Sequence, residues 1–267
     1  MERKNMNVSA VTASPKTYTR KTLANMIDHT VLKQNATEKD IRSGASSAIQ
    51  RDFRAFVVEP HHAAFVIRQN LLAKSSVFCA AVCDFPKAGS TTRMRVSMIN
   101  ELLGLGVDEV DIVSKFYLLL NDNYPEYKED IREVVKAMRG KTLKIILECD
   151  YLNEAQIRKA TDLICEVAKE EKAKYLIVKT NTGFAKEIKT ENTDALRYIK
   201  ETLEKHGLYA ERLEDISNGK IGIKVSARVK TTDSAITLLN AGAHIIGTSN
   251  GEEIVDGVSS NKTDSSY

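Results

Sequence analysis

A chain of 267 residues, 42% hydrophobic and 28% charged, has the length and composition of a soluble globular protein with a large core. Its formal net charge is only +3 and no long basic block occurs, which removes the electrostatic case for nucleic acid. No apolar run approaches membrane-spanning length, and Met1 to Thr19 is polar without an apolar signal core, so the reading is no membrane and a cytoplasmic protein.

Residues 1–20 read as a polar leader. Lys21 to Met26 predicts a short helix, and Ile27 to Leu32 a first strand. Thr37 is placed as the N-cap of the next helix, with Asp40 at its third position. Ala55 to Glu59 predicts a second strand stopped by Pro60, followed by a helix over His61–Lys74 with Ala64, Phe65, Ile67, Leu71 and Leu72 at helical spacing. Val77 to Cys83 is a third strand, and a helix over Thr92–Leu105 ends at Gly106. Glu109 to Val113 is a fourth strand with an aspartate inside it, and the helix Tyr124–Met138 ends at Gly140. Leu143 to Glu148 is a fifth strand, then Asn153 to Glu171 a long helix. The sixth strand ends at Lys179, with a helix over Thr193–His206 after it. The seventh, Ile221 to Ala227, holds Lys224, and Thr232 to Asn240 is helical. His244 to Ser249 is the eighth, followed by a short helix over Glu252–Val258 and a polar tail from Ser259 to Tyr267. Eight strand-then-helix units with short connections predict a single (β/α)8 barrel, a TIM barrel, over residues 21–258. A doubly wound open sheet is the weaker alternative, since no GxGxxG turn follows the first strand.

Lys179 and Lys224 each end an aliphatic strand where it opens into a polar loop. A lone lysine there would be an amine snorkelling to the rim beside a carboxylate. Two on neighbouring strands suggest an amine kept neutral by apolar walls and a second cation, able to attack a carbonyl and form a Schiff base. Asp111, between Val110 and Ile112, either pairs with a lysine or moves protons. The loops holding Thr182 and Gly183, Arg228 and Lys230, and Gly247, Ser249 and Asn250 all follow late strands, where barrels commonly bind phosphate. Asp28-His29 reads as structural rather than catalytic, and His61-His62 as surface. The four cysteines, Cys79, Cys83, Cys149 and Cys165, form no CxxC pair and read as buried thiols.

Taken together, IDHTVLK, VCDFPKAG, VDEVDIV, LKIILE, YLIVKTNTGF, IGIKVSA and HIIGTSNG resemble the deoxyribose-phosphate aldolase family in order and spacing over about residues 21–251. The resemblance implies a class I aldolase that reversibly cleaves 2-deoxy-D-ribose 5-phosphate to acetaldehyde and D-glyceraldehyde 3-phosphate. It implies Lys179 as the Schiff-base lysine, Lys224 as its pKa-lowering partner and Asp111 in the proton relay. It also implies a C-terminal tyrosine, Tyr267, assisting proton transfer, no metal or organic cofactor, small-molecule sugar phosphate and aldehyde as partners, and a homodimer. Two departures stand out. Ala227-Arg228 occupies the family's Gly-Gly pair, so a blocked backbone or a different turn is expected there, with Arg228 binding the phosphate instead or the substrate changed. Glu59 precedes the proline of the second strand, where it would oppose an anionic substrate if it points inward. The same imine chemistry on an unphosphorylated or different aldehyde, and a non-catalytic sugar-phosphate-binding barrel, are the alternatives.

Overall fold

The computed structural model describes residues 17–258. Eight parallel strands, β1 (Ile27–Val31), β2 (Ala55–Val58), β3 (Phe78–Cys83), β4 (Glu109–Val113), β5 (Thr142–Ile146), β6 (Leu176–Lys179), β7 (Ile221–Ser226) and β8 (Ile245–Thr248), pair in sequence order. β8 pairs back onto β1 through Ile27 and Ile246, which closes a (β/α)8 barrel. The helices α1 (Arg20–Ala24), α2 (Glu38–Gln50), α3 (Ala63–Ala73), α4 (Thr92–Leu105), α5 (Phe116–Leu120), α6 (Tyr124–Ala137), α7 (Glu154–Glu170), α8 (Asn192–Lys205), α9 (Thr232–Ala241) and α10 (Gly251–Asp256) ring it. The barrel architecture expected from the βα period is what the chain adopts. Residues 1–16 of the expected leader and the tail after Val258 lie outside the described residues, and the leader's last residue, Arg20, already belongs to α1.

Local chemistry explains most boundaries. Thr37 accepts from the Asp40 N–H and Asp40 returns a bond to the Thr37 N–H, a capping box that opens α2 as read from sequence. Gly106 and Gly242, at φ 92° and 118°, end α4 and α9 in the left-handed conformation that glycine adopts without a Cβ clash. Two segments differ from the sequence reading. His61 and His62 lie in a 3-10 turn started by Pro60, and the α-helix begins only at Ala63. The short α5, Phe-Tyr-Leu-Leu-Leu, has no polar face and so no helical period to read.

The strand faces divide the barrel into two unlike regions. Val110, Ile112, Leu143, Ile145, Val178, Ile223 and Val225 join one large apolar core against the helices. The alternate positions carry Asp28, Glu109, Asp111, Lys144, Lys179 and Lys224, all nearly inaccessible to solvent. The inner sheet face thus holds an ionic cluster among apolar walls, and the outer face carries most of the hydrophobic burial that stabilises the fold.

Candidate active site

The register brings the charges together. Asp111 stands beside Lys144 across β4 and β5, and Lys179 beside Lys224 across β6 and β7. Asp111 Oδ2 accepts from Lys179 Nζ and from Lys224 Nζ, each at 2.9 Å, and Asp111 Oδ1 accepts from Lys144 Nζ at 2.8 Å. Asp28 Oδ2 accepts from Lys224 Nζ at 2.6 Å and lies 3.1 Å from Lys144 Nζ. The two strand-end lysines therefore share one carboxylate oxygen inside the barrel.

Their surroundings set the protonation states. Three ammonium groups, Lys144 foremost, outweigh the burial of Asp111 and hold its carboxyl well below the usual range. Asp28 is also lowered, its burial being overcome by Lys144, Lys224 and Arg54. Lys144, though buried, is raised by Asp111, Asp28 and Glu109. Lys179 goes the other way. Burial, helped by Lys224 and Lys144, pulls its amine down to about 8 against the attraction of Asp111. At neutral pH that multiplies the free-amine fraction roughly 300-fold over an ordinary lysine. Phe85 contributes an apolar wall, with its ring centroid 6.0 Å from Lys179 Nζ and Phe184 packed edge-on against it.

Lys179 opens onto a cavity of about 740 Å3 at the carboxyl ends of the strands. Thr182, Gly183, Arg228, Lys230, Gly247, Ser249 and Asn250 all line it, so the late-strand loops converge as the sequence placed them. Lys33 and Lys186 add positive charge to the rim, and Asp40, Glu252 and Glu253 add negative. Glu252 and Glu253 occupy the first turn of α10 and offset the positive end of that helix. Tyr267 lies outside the described residues.

At three positions the structure adds physical detail. Ala227 and Arg228 form a strained turn. They adopt φ 73° and 61°, the left-handed conformation glycines would take, and accept its cost. The Arg228 guanidinium is not free, because Nη1 and Nη2 each reach a carboxylate oxygen of the buried Asp150 at 2.8 Å. Glu59 does not line the cavity onto which Lys179 opens; with Pro60, His61 and Phe85 it lines a second one.

Sequence reasoning missed Lys144, Arg54, Glu109 and the full part of Asp28. Lys144 carries the same mark as Asp111, a charge between aliphatic residues of a strand, and that rule finds it. Arg54 and Glu109 stand at strand starts, where a charge is ordinary. Only the closed barrel shows Arg54 bridging Asp28 at 2.7 Å and Glu109 at 2.9 Å.

A family model described as DeoC/LacD family aldolase matches residues 22–256. A deoxyribose-phosphate aldolase of Dictyoglomus turgidum is 33% identical over 236 residues, covering 88% of this chain and 97% of that protein. One of Thermococcus gammatolerans is 33% identical over 237 residues, covering 88% and 96%. Among solved structures, the tetrameric deoxyribose phosphate aldolase of Aeropyrum pernix shares the fold, with a TM-score of 0.74 at 23% identity over 91% of this chain and 93% of that one. Among the described residues, no helix is long and apolar enough to cross a membrane.

Proposed function

The chain belongs to the DeoC/LacD family of aldolases, and from that premise we propose that it reversibly cleaves 2-deoxy-D-ribose 5-phosphate into acetaldehyde and D-glyceraldehyde 3-phosphate. The observation that carries the reading is the Lys179 amine, which shares Asp111 Oδ2 with Lys224 and opens onto the cavity, its proton loosened by burial.

Neutral Lys179 attacks the aldehyde carbon of the open-chain sugar, and loss of water leaves a protonated imine. The water released in that step takes the hydroxyl proton of the third carbon, and the bond between the second and third carbons breaks. Its electron pair moves into the imine, which becomes an enamine as glyceraldehyde 3-phosphate leaves. The enamine carbon then takes a proton, and water hydrolyses the imine to acetaldehyde and free Lys179. Asp111 Oδ2 accepts from both amines, so proton exchange between Lys179 and Lys224 runs through it. Asp111 is too acidic to hold that proton, which makes it a bridge between the amines rather than a reservoir. At the phosphate end, Lys230 and Lys186 supply positive charge, and Thr182, Gly183, Gly247, Ser249 and Asn250 line the wall. Arg228 braces its turn through Asp150 and contributes to the anion mainly by its residual field.

A retro-aldol assay on deoxyribose with and without the 5-phosphate tests the substrate. Turnover of the phosphate ester is expected to be the faster. Reduction with borohydride in the presence of acetaldehyde is expected to place a two-carbon adduct on Lys179, and Lys179→Ala to lose more than about a thousandfold in rate. An adduct elsewhere, or none, would overturn the assignment.

A homodimer belongs to the same proposal. Leu71 and Leu72 on α3 are 74% and 71% exposed, an apolar pair that a second copy would cover. Light scattering that returned the mass of one chain would sink it. A cytoplasmic location fits four buried free thiols, and recovery of the chain in a membrane fraction would contradict it.

A further inference from the structure

The ionic interior does not stop at the lysine pair. Arg54, just before β2, and Glu109, the first residue of β4, lie at the mouth opposite the cavity, and neither lines it. Glu109 Oε2 accepts from Arg54 Nη1 at 2.9 Å and lies 2.6 Å from Lys144 Nζ. Lys144 meets Asp111 at 2.8 Å, and Asp111 meets Lys179 at 2.9 Å. An unbroken line of charge contacts thus joins one mouth of the barrel to the other.

The composition of this line has a consequence. Four basic side chains, Arg54, Lys144, Lys179 and Lys224, face three carboxylates, Asp28, Glu109 and Asp111. Full ionisation would leave one positive charge uncompensated in a desolvated interior, which is costly. The proton given up belongs to the cation least supported by acids. Lys144 meets Asp28, Glu109 and Asp111. Lys224 meets Asp28 and Asp111, and Arg54 meets Asp28 and Glu109. Lys179 meets Asp111 alone among the described residues.

We propose that Arg54 and Glu109 are positioning residues for the reaction, setting from the far mouth the charge balance that makes Lys179 the amine of the network that gives up its proton most readily. This rests on the reading of Lys179 as the imine-forming lysine. Glu109 offsets part of the positive charge that Lys144 turns toward Lys179, and so eases protonation of Lys179. Arg54 supplies the cation that tips the balance. Of the other walls, the end of β5 brings Glu148, which also acts on Lys179, while β2, β3 and β8 bring no charge. β2 and β3 contribute Ala55, Val57, Ala80 and Val82, and β8 contributes Ile245 and Gly247. Glu148, at the cavity end, spends its carboxylate on the Thr182 N–H and hydroxyl.

The test reads the Lys179 amine directly. Adduct formation at Lys179 with acetaldehyde and cyanoborohydride is followed by mass spectrometry from pH 6 to 10 in the wild type, Glu109→Gln, Arg54→Met and the double variant. Removing the anion is expected to move the midpoint down by about one pH unit, and removing the cation to move it up by about as much. The double variant restores the balance and is expected to return close to the wild type. Structural loosening would shift both single variants the same way, so shifts of equal sign overturn the proposal, as do coincident profiles. Should Glu109→Gln fail to fold, an upward shift in Arg54→Met that the double variant reverses still supports it, and coincidence of those two with the wild type still overturns it. Absence of any adduct on wild-type Lys179 overturns the imine reading itself, an outcome distinct from labelling that ignores Arg54 and Glu109.

Discussion

Gly247 leaves the space that Lys224 occupies. A Cβ at this position would lie 2.7 Å from Lys224 Cε and 2.2 Å from Ser226 Oγ, far inside van der Waals contact. Its need for glycine is therefore explained by the lysine next to it, before any phosphate is considered. Gly247→Ala is expected to push the Lys224 amine off Asp28 and Asp111 and to lower kcat about ten- to a hundredfold with the fold retained. Steady-state kinetics beside a circular dichroism spectrum checks this, and an unchanged kcat would mean that Ser226 alone yields. The same residue scale shows what a linear sequence can and cannot reveal. Lys179, Lys224, Asp111 and Lys144 are each a charge set among strand aliphatics, an anomaly visible along the chain. Arg54 and Glu109 carry no such mark, because their meaning comes from strand pairing across the barrel. The Arg228–Asp150 pair is equally silent, since it joins two loops 78 positions apart.

The turn that ends β7 is an element whose sequence and geometry disagree. Ala227 and Arg228 hold positive φ in succession, each at a cost of about 1 kcal/mol relative to glycine. The two-point bond from Arg228 to Asp150 offsets part of that strain by tying the turn to the loop after β5. Sequence alone reads Ala-Arg at this position as a broken glycine turn, because local preference is all it offers. Tertiary contacts keep the turn instead. Ala227→Gly is expected to raise stability by up to about 0.5 kcal/mol, relief of strain slightly exceeding the added freedom of the unfolded chain. Urea melts of the two proteins decide it. A lower midpoint in the variant would mean that the packing of the Ala227 methyl is worth more than its strain.

Across the whole molecule, the buried titratable groups dictate how stability varies with pH. Eight strands in order, each with its helix, made the barrel legible from periodicity and turn residues. The ionic filling was legible only in part, so its pH signature is a property of the closed structure. Asp28 and Asp111 are held below the ordinary carboxylate range, so their contribution is present above about pH 4 and is lost as acid protonates them. His29, buried between Phe53 and Phe56, is lowered to about 4 by burial, with Glu252 and Glu253 opposing. Between pH 6.5 and 4 the unfolded chain therefore binds a proton that the native chain refuses, and stability falls by up to about 3 kcal/mol as pH drops through that window. On the alkaline side the signs oppose each other. Lys179, lowered to about 8, sheds its proton in the native state first, which favours folding as pH rises from 8 to 10.5. Burial pushes the thiols of Cys79, Cys83 and Cys165 up to about 12, so above pH 9 the unfolded chain releases protons that the native chain keeps. Three thiols outweigh one lysine, and stability falls there too. The urea midpoint is accordingly expected to peak between about pH 7 and 9. His29→Phe keeps an aromatic ring among Phe53 and Phe56 and removes the proton site. It is expected to flatten the profile between pH 6.5 and 4 while leaving the drop below pH 4, where Asp28 and Asp111 titrate. A variant that kept the full decline above pH 4 would place its origin in other groups.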